Sequence, residues 1–379
     1  MRFVMFYHSL VSDWNHGNAH FLRGVASELQ ALGHRAVIYE PAEGWSRTQL
    51  ERDHGKVAVR AFASVFPELK SRLYRMDTLD LDKALAGADV VIVHEWNDPE
   101  LVARIGSHRA AAGRYRLFFH DTHHRMATAP HEMARYDLRH YDGVLAFGRI
   151  IADLYVRRGH RAWTWHEAAD ARVFRPSRRN ASGGDLVWIG NWGDEERSRE
   201  LLEMLLHPVL ELGLKARVYG VRYPAPALRA LERAGIEYGG WLPNYAVPEI
   251  FGRYRLTVHV PRRPYREKLH GIPTIRVFEA LACGIPLICL RWSDSEQLFT
   301  SGKDYLEVDS GREMTRAMRR VLSSERLAHD LAEHGHRTIL RRHTCAHRVH
   351  QLLRIVEACQ RSAPSLKPRA AAQRELEAS

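Results

Sequence analysis

A turn, a helix and a buried strand follow one another between His270 and Leu290, and this order limits the folds available to the chain. Residues Ile275 to Cys283 predict a helix, which Gly284 would end in a left-handed conformation. The apolar run from Ile285 to Leu290 is typical of a strand that is buried on both faces. Such strands belong to parallel sheets with helices packed on both sides, so the stretch predicts an α/β protein.

The start of this helix offers groups that suit a phosphate. Gly271, Pro273 and Thr274 predict a turn whose backbone N–H groups lie at the positive end of the helix dipole. Glu279 follows about one and a half turns later, where a carboxylate can accept hydrogen bonds from two hydroxyls of a ribose. Phosphate and ribose contacts together indicate a nucleotide site. The alternative is ordinary α/β packing, with Glu279 as a solvated surface residue.

The residues Thr274–Ala280 and Ala282–Pro286 resemble the donor-site signature of the two-domain GT-B glycosyltransferases. The spacing of Arg276 and Glu279 around a phenylalanine is similar to the CgeB-like, or spore-maturation-type, branch. This resemblance implies that both residues belong to a nucleotide-sugar site and that Glu279 binds the ribose. Many retaining members carry a second glutamate eight positions earlier. Gly271 stands there in this chain, so the pattern does not predict the stereochemical outcome.

The chain of 379 residues is too long for one typical core and predicts two domains. The resemblance implies the GT-B architecture, in which two Rossmann-like, doubly wound domains face a cleft. We expect the first, acceptor-side domain over residues 1–175 and the nucleotide-sugar domain over 176–343. A C-terminal helix over 344–360 would return to the first domain. Residues 361–379 are rich in proline, alanine and charge, which predicts disorder.

The first forty residues predict a βαβ unit, with a helix from Ala19 to Leu32 between two strands. The unit has no G-x-G-x-x-G sequence, so it is not predicted to be a dinucleotide site. Gly17 and Asn18, before the helix, resemble the glycine loop of GT-B enzymes. By that resemblance they face the cleft beneath the donor phosphates.

Polar residues follow the buried strands predicted near residues 90, 118 and 145. Because ligands of parallel sheets gather at the carboxyl ends of the strands, six residues are candidates for an acceptor site: His94, Glu95, His120, Asp121, His123 and His124. We predict a catalytic or substrate-orienting role for His120 and Asp121. A plain loop is an equally good interpretation of His123 and His124. The spacing fits no common zinc motif, so no metal site is predicted.

The second domain is predicted to begin with the strand Leu186–Gly190. In the resembling families the loop after this strand, here starting at Gly190 and Asn191, approaches the donor diphosphate, and a nearby arginine pairs with it. We choose Arg197 over Arg199 because a planar guanidinium suits phosphate oxygens, although both could be exposed charges. Lys268, in a basic loop before the signature helix, is a further candidate.

The formal net charge of +11 favours anionic partners, but the basic residues are spread along the sequence. Nucleic acid is therefore a possible partner that the pattern does not favour. No apolar run approaches the length of a membrane helix. The four cysteines form no close-spaced metal pair, and two of them fall in predicted buried elements. These features indicate a reducing, cytoplasmic setting.

Taken together, the sequence predicts a metal-independent glycosyltransferase. It would move a hexose-like sugar from a UDP- or GDP-type donor to an unidentified acceptor. The nucleotide-sugar is a substrate, and no cofactor is predicted. Three alternatives stay open: a glycosyltransferase that modifies DNA, a nucleotide-sugar epimerase and a non-catalytic scaffold protein with the same fold.

Overall fold

The computed structural model describes residues 1–111, 113–178 and 182–361. It contains two sheets in which every strand pairs in parallel with its neighbours. The two sheets, with helices on their faces, confirm the predicted architecture of two Rossmann-like domains. The strands of the first sheet are β1 (Arg2–Phe6), β2 (Arg35–Pro41), β3 (Ser71–Tyr74), β4 (Val90–His94), β5 (Arg116–Asp121), β6 (Gly143–Ala146) and β7 (Ala162–Thr164). Those of the second are β8 (Gly184–Ile189), β9 (Ala216–Tyr219), β10 (Glu237–Tyr238), β11 (Tyr254–His259), β12 (Leu287–Leu290) and β13 (Leu306–Val308).

Both sheets reverse their strand order beside the first strand of the domain. The orders are β3-β2-β1-β4-β5-β6-β7 and β10-β9-β8-β11-β12-β13. In open parallel sheets such a reversal leaves a crevice at the carboxyl ends of the strands, where ligands bind. The loops after β1 and β8 therefore start at the two crevices.

Helices cover the faces of the two sheets. In the first domain they are α1 (Ala19–Ala31), α2 (Trp45–Val65), α3 (Leu81–Leu85), α4 (Pro99–Ala111), α5 (Arg125–Thr128), α6 (Pro130–Met133) and α7 (Arg149–Arg157). In the second they are α8 (Ser198–Leu201), α9 (His207–Leu212), α10 (Ala225–Arg233), α11 (Val247–Gly252), α12 (Arg263–Glu267), α13 (Ile275–Ala282), α14 (Gly311–Ser323) and α15 (Glu325–Arg342), followed by α16 (Cys345–Arg361). A π-helical turn, Leu202–Leu206, joins α8 to α9, and a 3₁₀ turn, Asn244–Ala246, precedes α11.

The region from Pro41 to Lys83, which no sequence pattern assigned, contains α2, β3 and α3. Helix α2 is kinked at Gly55, whose φ of 69° lies outside the helical range. The half before the kink reaches the second domain, because the His54 and Trp241 rings lie 4.6 Å apart. Leu50 also packs in a cluster with Val221 of the second domain. A helix that spans two domains carries no single regular apolar stripe, which explains why the pattern was unclear.

Helix α16 packs against α1 of the first domain. The Trp165 indole Nε1–H donates to the backbone oxygen of Arg348 at 2.8 Å, and the Cys345 N–H donates to the oxygen of Ala169 at 2.9 Å. The helix continues to Arg361, the first residue of the predicted disordered tail, and residues 362–379 lie outside the described part of the chain. Within the described residues, no helix is long and apolar enough to span a membrane.

Candidate functional site

A cleft of about 550 Å³ separates the carboxyl ends of the two sheets and is lined by residues from both domains. Seven of the predicted donor-site residues line it: Gly17, Asn18, Gly190, Asn191, Arg197, Thr274 and Arg276. Another cavity, of about 620 Å³, surrounds Arg291 and Trp292 and contains none of the predicted residues. The interdomain cleft is therefore the candidate site.

Arg197 is held at the second-domain wall of the cleft by the backbone. Its Nη1 donates to the Val260 oxygen at 2.9 Å and its Nη2 to the Asn191 oxygen at 2.6 Å. The guanidinium also lies 5.1 Å above the Trp188 ring. Burial, followed by repulsion from Arg262 and other cations, lowers the pKa of Arg197 to about 10. Burial accounts for most of this lowering, and the repulsion from Arg262 and Arg276 would be relieved by a bound anion.

Three further arginines of the second domain line the same cleft. Arg222 pairs with Asp194 at 3.0 Å, and Arg262 pairs with Glu196 at 3.0 Å. Arg276 pairs with Glu279. Arginine donates to phosphate oxygens through a planar fork, so four guanidinium groups on one wall can surround a diphosphate.

Backbone N–H groups in the turn before α13, which the sequence predicts to be free for a phosphate, already donate hydrogen bonds within the protein. The Gly271 N–H donates to the Ser293 oxygen at 2.6 Å, and the Ile272 N–H donates to the Leu269 oxygen at 3.1 Å. The Gly271 backbone has a φ of 93°, and a Cβ there would lie 2.7 Å from Glu296 Cγ. This glycine therefore serves a close contact with Glu296, and its N–H is not available to a phosphate.

The other residues predicted at this turn differ in position. Thr274 lines the cleft, with its Oγ1 3.0 Å from His259 Nε2. Pro273 is buried behind the cleft surface. Lys268 is exposed and lies outside the cleft lining, because it follows the short helix α12 on the surface. The predicted donor contact of Lys268 has no support from this placement.

Glu279 is fully buried and does not line the cleft. Its Oε1 accepts a hydrogen bond from His20 Nδ1 at 2.8 Å, and its Oε2 accepts one from Arg276. His20 Nε2 accepts the backbone N–H of Asp170 at 2.8 Å, which fixes the proton of this neutral ring on Nδ1. A ribose would reach Glu279 only if one of these bonds opened. The predicted direct ribose contact is therefore absent from this arrangement.

Glu167, from the end of the first domain, is the carboxylate that sequence reasoning missed. It lines the cleft, and its Oε1 accepts from Asn18 Nδ2 at 2.8 Å. The backbone N–H of Ile275, at the start of α13, also favours the charged form of Glu167. Burial raises the pKa of Glu167 to about 7, although the Asn18 hydrogen bond and the Ile275 N–H both act to lower it. The carboxylate thus lies beside the helix N-terminus, where a phosphate was expected.

Two more carboxylates line the cleft, and both have a cationic partner. Asp13 Oδ2 lies 2.9 Å from Arg23 Nη1, and Asp194 pairs with Arg222. Within the part of the chain that the structure describes, Glu167 is the cleft carboxylate without an ion pair. A buried carboxylate with no cation and a pKa near neutrality can exchange a proton at physiological pH.

His120 and Asp121, the predicted catalytic pair, lie beneath the cleft rather than in it. Both are fully buried. His120 Nδ1 is 2.6 Å from the Tyr7 hydroxyl, and burial lowers the pKa of its ring to about 3. Asp121 Oδ2 accepts the Tyr155 hydroxyl at 2.8 Å, and burial raises its pKa to about 6. Neither side chain can touch a substrate in this arrangement, because the strand β5 that carries them ends below the cleft floor.

His123 and His124, from the same predicted cluster, do line the cleft, whereas His94 and Glu95 are buried below it. His123 Nδ1 has no hydrogen-bond partner among the described residues. Those residues include no group of three or more His, Cys, Asp or Glu side chains placed to hold a metal ion.

Asp13 connects the two walls of the cleft. Its Oδ1 accepts the Trp241 indole Nε1–H at 3.0 Å, and its Oδ2 accepts the Asn244 backbone N–H at 3.0 Å. The domains also meet at Gly17, where an added Cβ would lie 3.2 Å from the Ile275 side chain. These contacts leave little space between the glycine loop and α13, and they join the two domains beside the cleft.

Comparisons with known proteins agree with this geometry. Residues 197–354 match the family model described as glycosyl transferase-like. A glycosyltransferase from Rickettsia africae is 10% identical and superposes with a TM-score of 0.67, over 96% of this chain and 99% of that chain. HepE from Anabaena, in complex with UDP-glucose, is 12% identical and superposes with a TM-score of 0.65, over 94% of this chain and 100% of that chain. An alpha-glucosyltransferase in complex with UDP and a 13-mer DNA is 12% identical and superposes with a TM-score of 0.65, over 94% of this chain and 100% of that chain.

The chain has the GT-B fold. A comparison with curated protein sequences gives no significant match. The family match begins after β8 and covers the rest of the second domain through α15, together with part of α16.

Several residues at the centre of this GT-B cleft carried no sequence signal of their own. They include Asp13, Trp45, Trp96, Glu167 and Trp241. Glu167 lies in a stretch that resembles the usual end of the first GT-B domain, but its type does not indicate a function there. The others are in loops or at helix starts, where side chains follow no regular pattern. Only the tertiary structure brings them together.

Proposed function

We propose that this protein is a glycosyltransferase that takes a sugar from a nucleotide-sugar and transfers it to an acceptor held by the first domain. The observation that carries the proposal is the group of four cleft arginines, all from the second domain: Arg197, Arg222, Arg262 and Arg276. They can stabilise the negative charge that develops on a departing nucleoside diphosphate. The glycosyl transferase-like family match over residues 197–354 supports the same function.

The nucleotide would lie along the second-domain wall. Val221, Trp241 and Leu242 line one end of the cleft and offer an apolar place for the base. The diphosphate would lie between the arginines and the start of α13, near Thr274. Glu279 would act through Arg276, which it holds in place, unless ligand binding opens the contact with His20.

Glu167 is our candidate for the base in this reaction. Glu167 lines the cleft and is influenced by the Ile275 N–H at the start of α13, where we expect the diphosphate, so the carboxylate would lie near the sugar carbon bonded to it. The acceptor O–H proton would pass to a Glu167 oxygen while the acceptor oxygen bonds to the sugar C1. The bond from C1 to the diphosphate oxygen would break, and its electron pair would leave with the nucleoside diphosphate. A pKa of about 7 suits a general base at neutral pH.

The finer features belong to the same proposal. The donor would be a UDP- or GDP-linked hexose, and the arginines would allow transfer without a metal ion. The Arg276 and Glu279 spacing supports placement in the CgeB-like branch. All four cysteines are free and buried, which is compatible with the proposed cytoplasmic setting.

Calorimetry with UDP, GDP and ADP tests the nucleotide site. We expect one of these nucleotides to bind, and its affinity to fall about tenfold or more in Arg262→Ala. Arg263→Ala is the matched control, because Arg263 is the next residue and does not line the cleft. Failure of all three nucleotides to bind, or an equal loss in both variants, would contradict the proposal.

Incubation of the matching nucleotide-sugar without an acceptor separates the alternatives. An isomerised nucleotide-sugar would indicate an epimerase. Slow release of nucleoside diphosphate, by transfer to water, agrees with a transferase. Binding with neither reaction, and with no transfer to any tested acceptor, would favour a scaffold protein.

A further inference from the structure

We infer that the acceptor is a neutral carbohydrate, bound by its ring faces and hydroxyl groups on the first-domain wall of the cleft. The inference rests on the proposed transferase function and names the class of molecule that receives the sugar. Its basis is the difference in chemistry between the two walls.

The charged side chains of the cleft are divided between the domains. All four arginines that line it, in the part of the chain that the structure describes, belong to the second domain. The first-domain wall contributes neither arginine nor lysine among those residues, and it carries the carboxylates Asp13 and Glu167. Asp13 is already paired with Arg23, whereas Glu167 has no ion pair, so a phosphate or a uronate on this wall would meet the Glu167 carboxylate and no arginine or lysine of the described cleft lining. The wall therefore disfavours anionic acceptors.

The histidines of this wall do not supply a positive charge. Burial lowers the pKa of His8 to about 4 and also lowers the pKa values of His16 and His123. These rings are therefore neutral at physiological pH, and each neutral ring has one donor and one acceptor nitrogen. Neutral imidazoles bond well to hydroxyl groups.

Two tryptophans give the wall its apolar surfaces. Trp45 is 40% exposed and Trp96 is 37% exposed, although both line the cleft. The Trp45 ring lies 4.8 Å from His8, and the Trp96 ring lies 5.1 Å from His123. Each exposed aromatic ring thus stands beside a histidine. A sugar ring has an apolar face and a rim of hydroxyls, so it can stack on the indole and bond to the imidazole.

Unpartnered polar atoms mark where the hydroxyls would bond. His8 Nε2, His16 Nε2 and Asn18 Oδ1 are buried and have no hydrogen-bond partner among the described residues. All three residues line the cleft and are more than nine-tenths buried. Buried polar atoms without partners are costly, and hydroxyls of a bound acceptor would satisfy them.

Nucleic acid is the main competing acceptor, because tryptophans also stack on bases. Binding of a nucleic acid strand requires cations along its phosphates. Arg125 lies 4.3 Å above the Trp96 ring, but it pairs with the buried Glu95. Among the described residues, the first-domain wall therefore has the stacking surfaces for a base but no unpaired arginine or lysine for the phosphates of a strand.

The test is transfer from the nucleotide-sugar that calorimetry identifies to four sets of acceptors. These are neutral disaccharides and oligosaccharides of maltose, cellobiose and lactose type, uronate oligosaccharides, single-stranded DNA and duplex DNA. Saturation-transfer NMR with the neutral sugars measures binding without any donor. Each measurement is repeated with Trp45→Leu, Trp96→Leu and the control Trp163→Leu, whose tryptophan lies outside the cleft.

We expect neutral sugars to be the best acceptors. For them, kcat/KM should fall about tenfold or more in Trp45→Leu and Trp96→Leu, with the nucleotide Kd unchanged and Trp163→Leu like the wild type. Three results would overturn the inference: salt-sensitive labelling of DNA, a preference for uronates, or binding of neutral sugars that neither Trp45→Leu nor Trp96→Leu weakens. If no nucleotide binds, the proposed function itself fails. If a nucleotide binds but no neutral sugar is used or bound, only the acceptor assignment fails.

Discussion

His20 of the first domain donates a hydrogen bond to Glu279 of the second across 2.8 Å, and neither side chain is exposed to solvent. The direction of the bond is fixed because the other ring nitrogen of His20 accepts the Asp170 N–H. Glu279 thus receives hydrogen bonds from both domains, since Arg276 occupies its second oxygen. The carboxylate that sequence reasoning assigned to a ribose instead joins the two domains at the base of the cleft.

We predict that Glu279→Ala destabilises the fold as well as nucleotide binding. Removal of the carboxylate leaves Arg276 and His20 without their partner in a buried position, which costs on the order of 3–5 kcal/mol. Urea unfolding measures the loss. Glu249→Ala is the control, because Glu249 pairs with Arg253 on an exposed helix face and its loss should cost less than about 0.5 kcal/mol. Equal effects of the two substitutions would show that the Glu279 contacts contribute little.

The raised pKa of Glu167 predicts a pH dependence of stability. The ordinary value of 4.5 applies to the unfolded chain, and the folded value is about 7. Between these values the folded protein keeps a proton that the unfolded chain has released. Stability contributed by this group is therefore lost as pH rises from about 4.5 to about 7. Glu167→Gln should remove that slope, which thermal unfolding at a series of pH values would detect.

The same substitution tests catalysis. If Glu167 is the base, the wild-type rate should rise with pH up to about 7 and then level off. Glu167→Gln should lower kcat by about 10² to 10⁴ and lose this rise, with the nucleotide Kd little changed. A variant that keeps the wild-type pH profile would remove Glu167 from the mechanism.

Arg197→Lys should weaken nucleotide binding about tenfold or more. The guanidinium reaches two backbone oxygens, those of Val260 and Asn191, and a lysine cannot bridge both in the same plane. One carbonyl would lose its partner at a cost of about 1–3 kcal/mol, and the loop would lose its shape. Arg199→Lys is the control, because Arg199 is exposed and does not line the cleft. Calorimetry on both variants would show which arginine contributes to nucleotide binding. Equal nucleotide affinities of Arg197→Lys and Arg199→Lys would exclude Arg197.

Asp13→Ala should open the cleft. The carboxylate holds Trp241 and the Asn244 backbone of the second domain, and it neutralises Arg23, which is buried. We expect a larger radius of gyration by X-ray scattering and a stability loss of about 3 kcal/mol. Asp53→Ala, in an exposed pair with Arg52, should change neither quantity. An unchanged radius in Asp13→Ala would show that other contacts suffice to close the domains.

The sequence predicted the fold well because buried parallel strands leave continuous apolar runs. The strands β4, β5 and β6 lie near residues 90, 118 and 145 as predicted, and β8 begins two residues before the predicted start at Leu186. The elements it did not assign were short or shared between domains, such as β7, at three residues, and the kinked α2. Periodicity depends on a single buried face, and neither element has one.

The candidate site was predicted less completely, for a different reason. Motif residues such as Gly17, Arg197 and Thr274 line the cleft as expected. Strand ends identified the right edge of the sheet, but they do not show how far each side chain lies from the surface. His120 and His123 are three residues apart, yet the first is buried and the second lines the cleft. How deeply a side chain lies below the cleft surface depends on the tertiary structure and cannot be predicted from its position in the sequence.

The packing of α16 on α1 has a consequence for biosynthesis. A ribosome releases α1 first and α16 only after the whole second domain has been made. The first domain therefore cannot cover the part of α1 that packs against α16 until α16 has been made, whereas the strands and core helices of the second domain are contiguous in sequence. The nascent chain must hold an incomplete domain in a state that chaperones recognise until the final helix arrives.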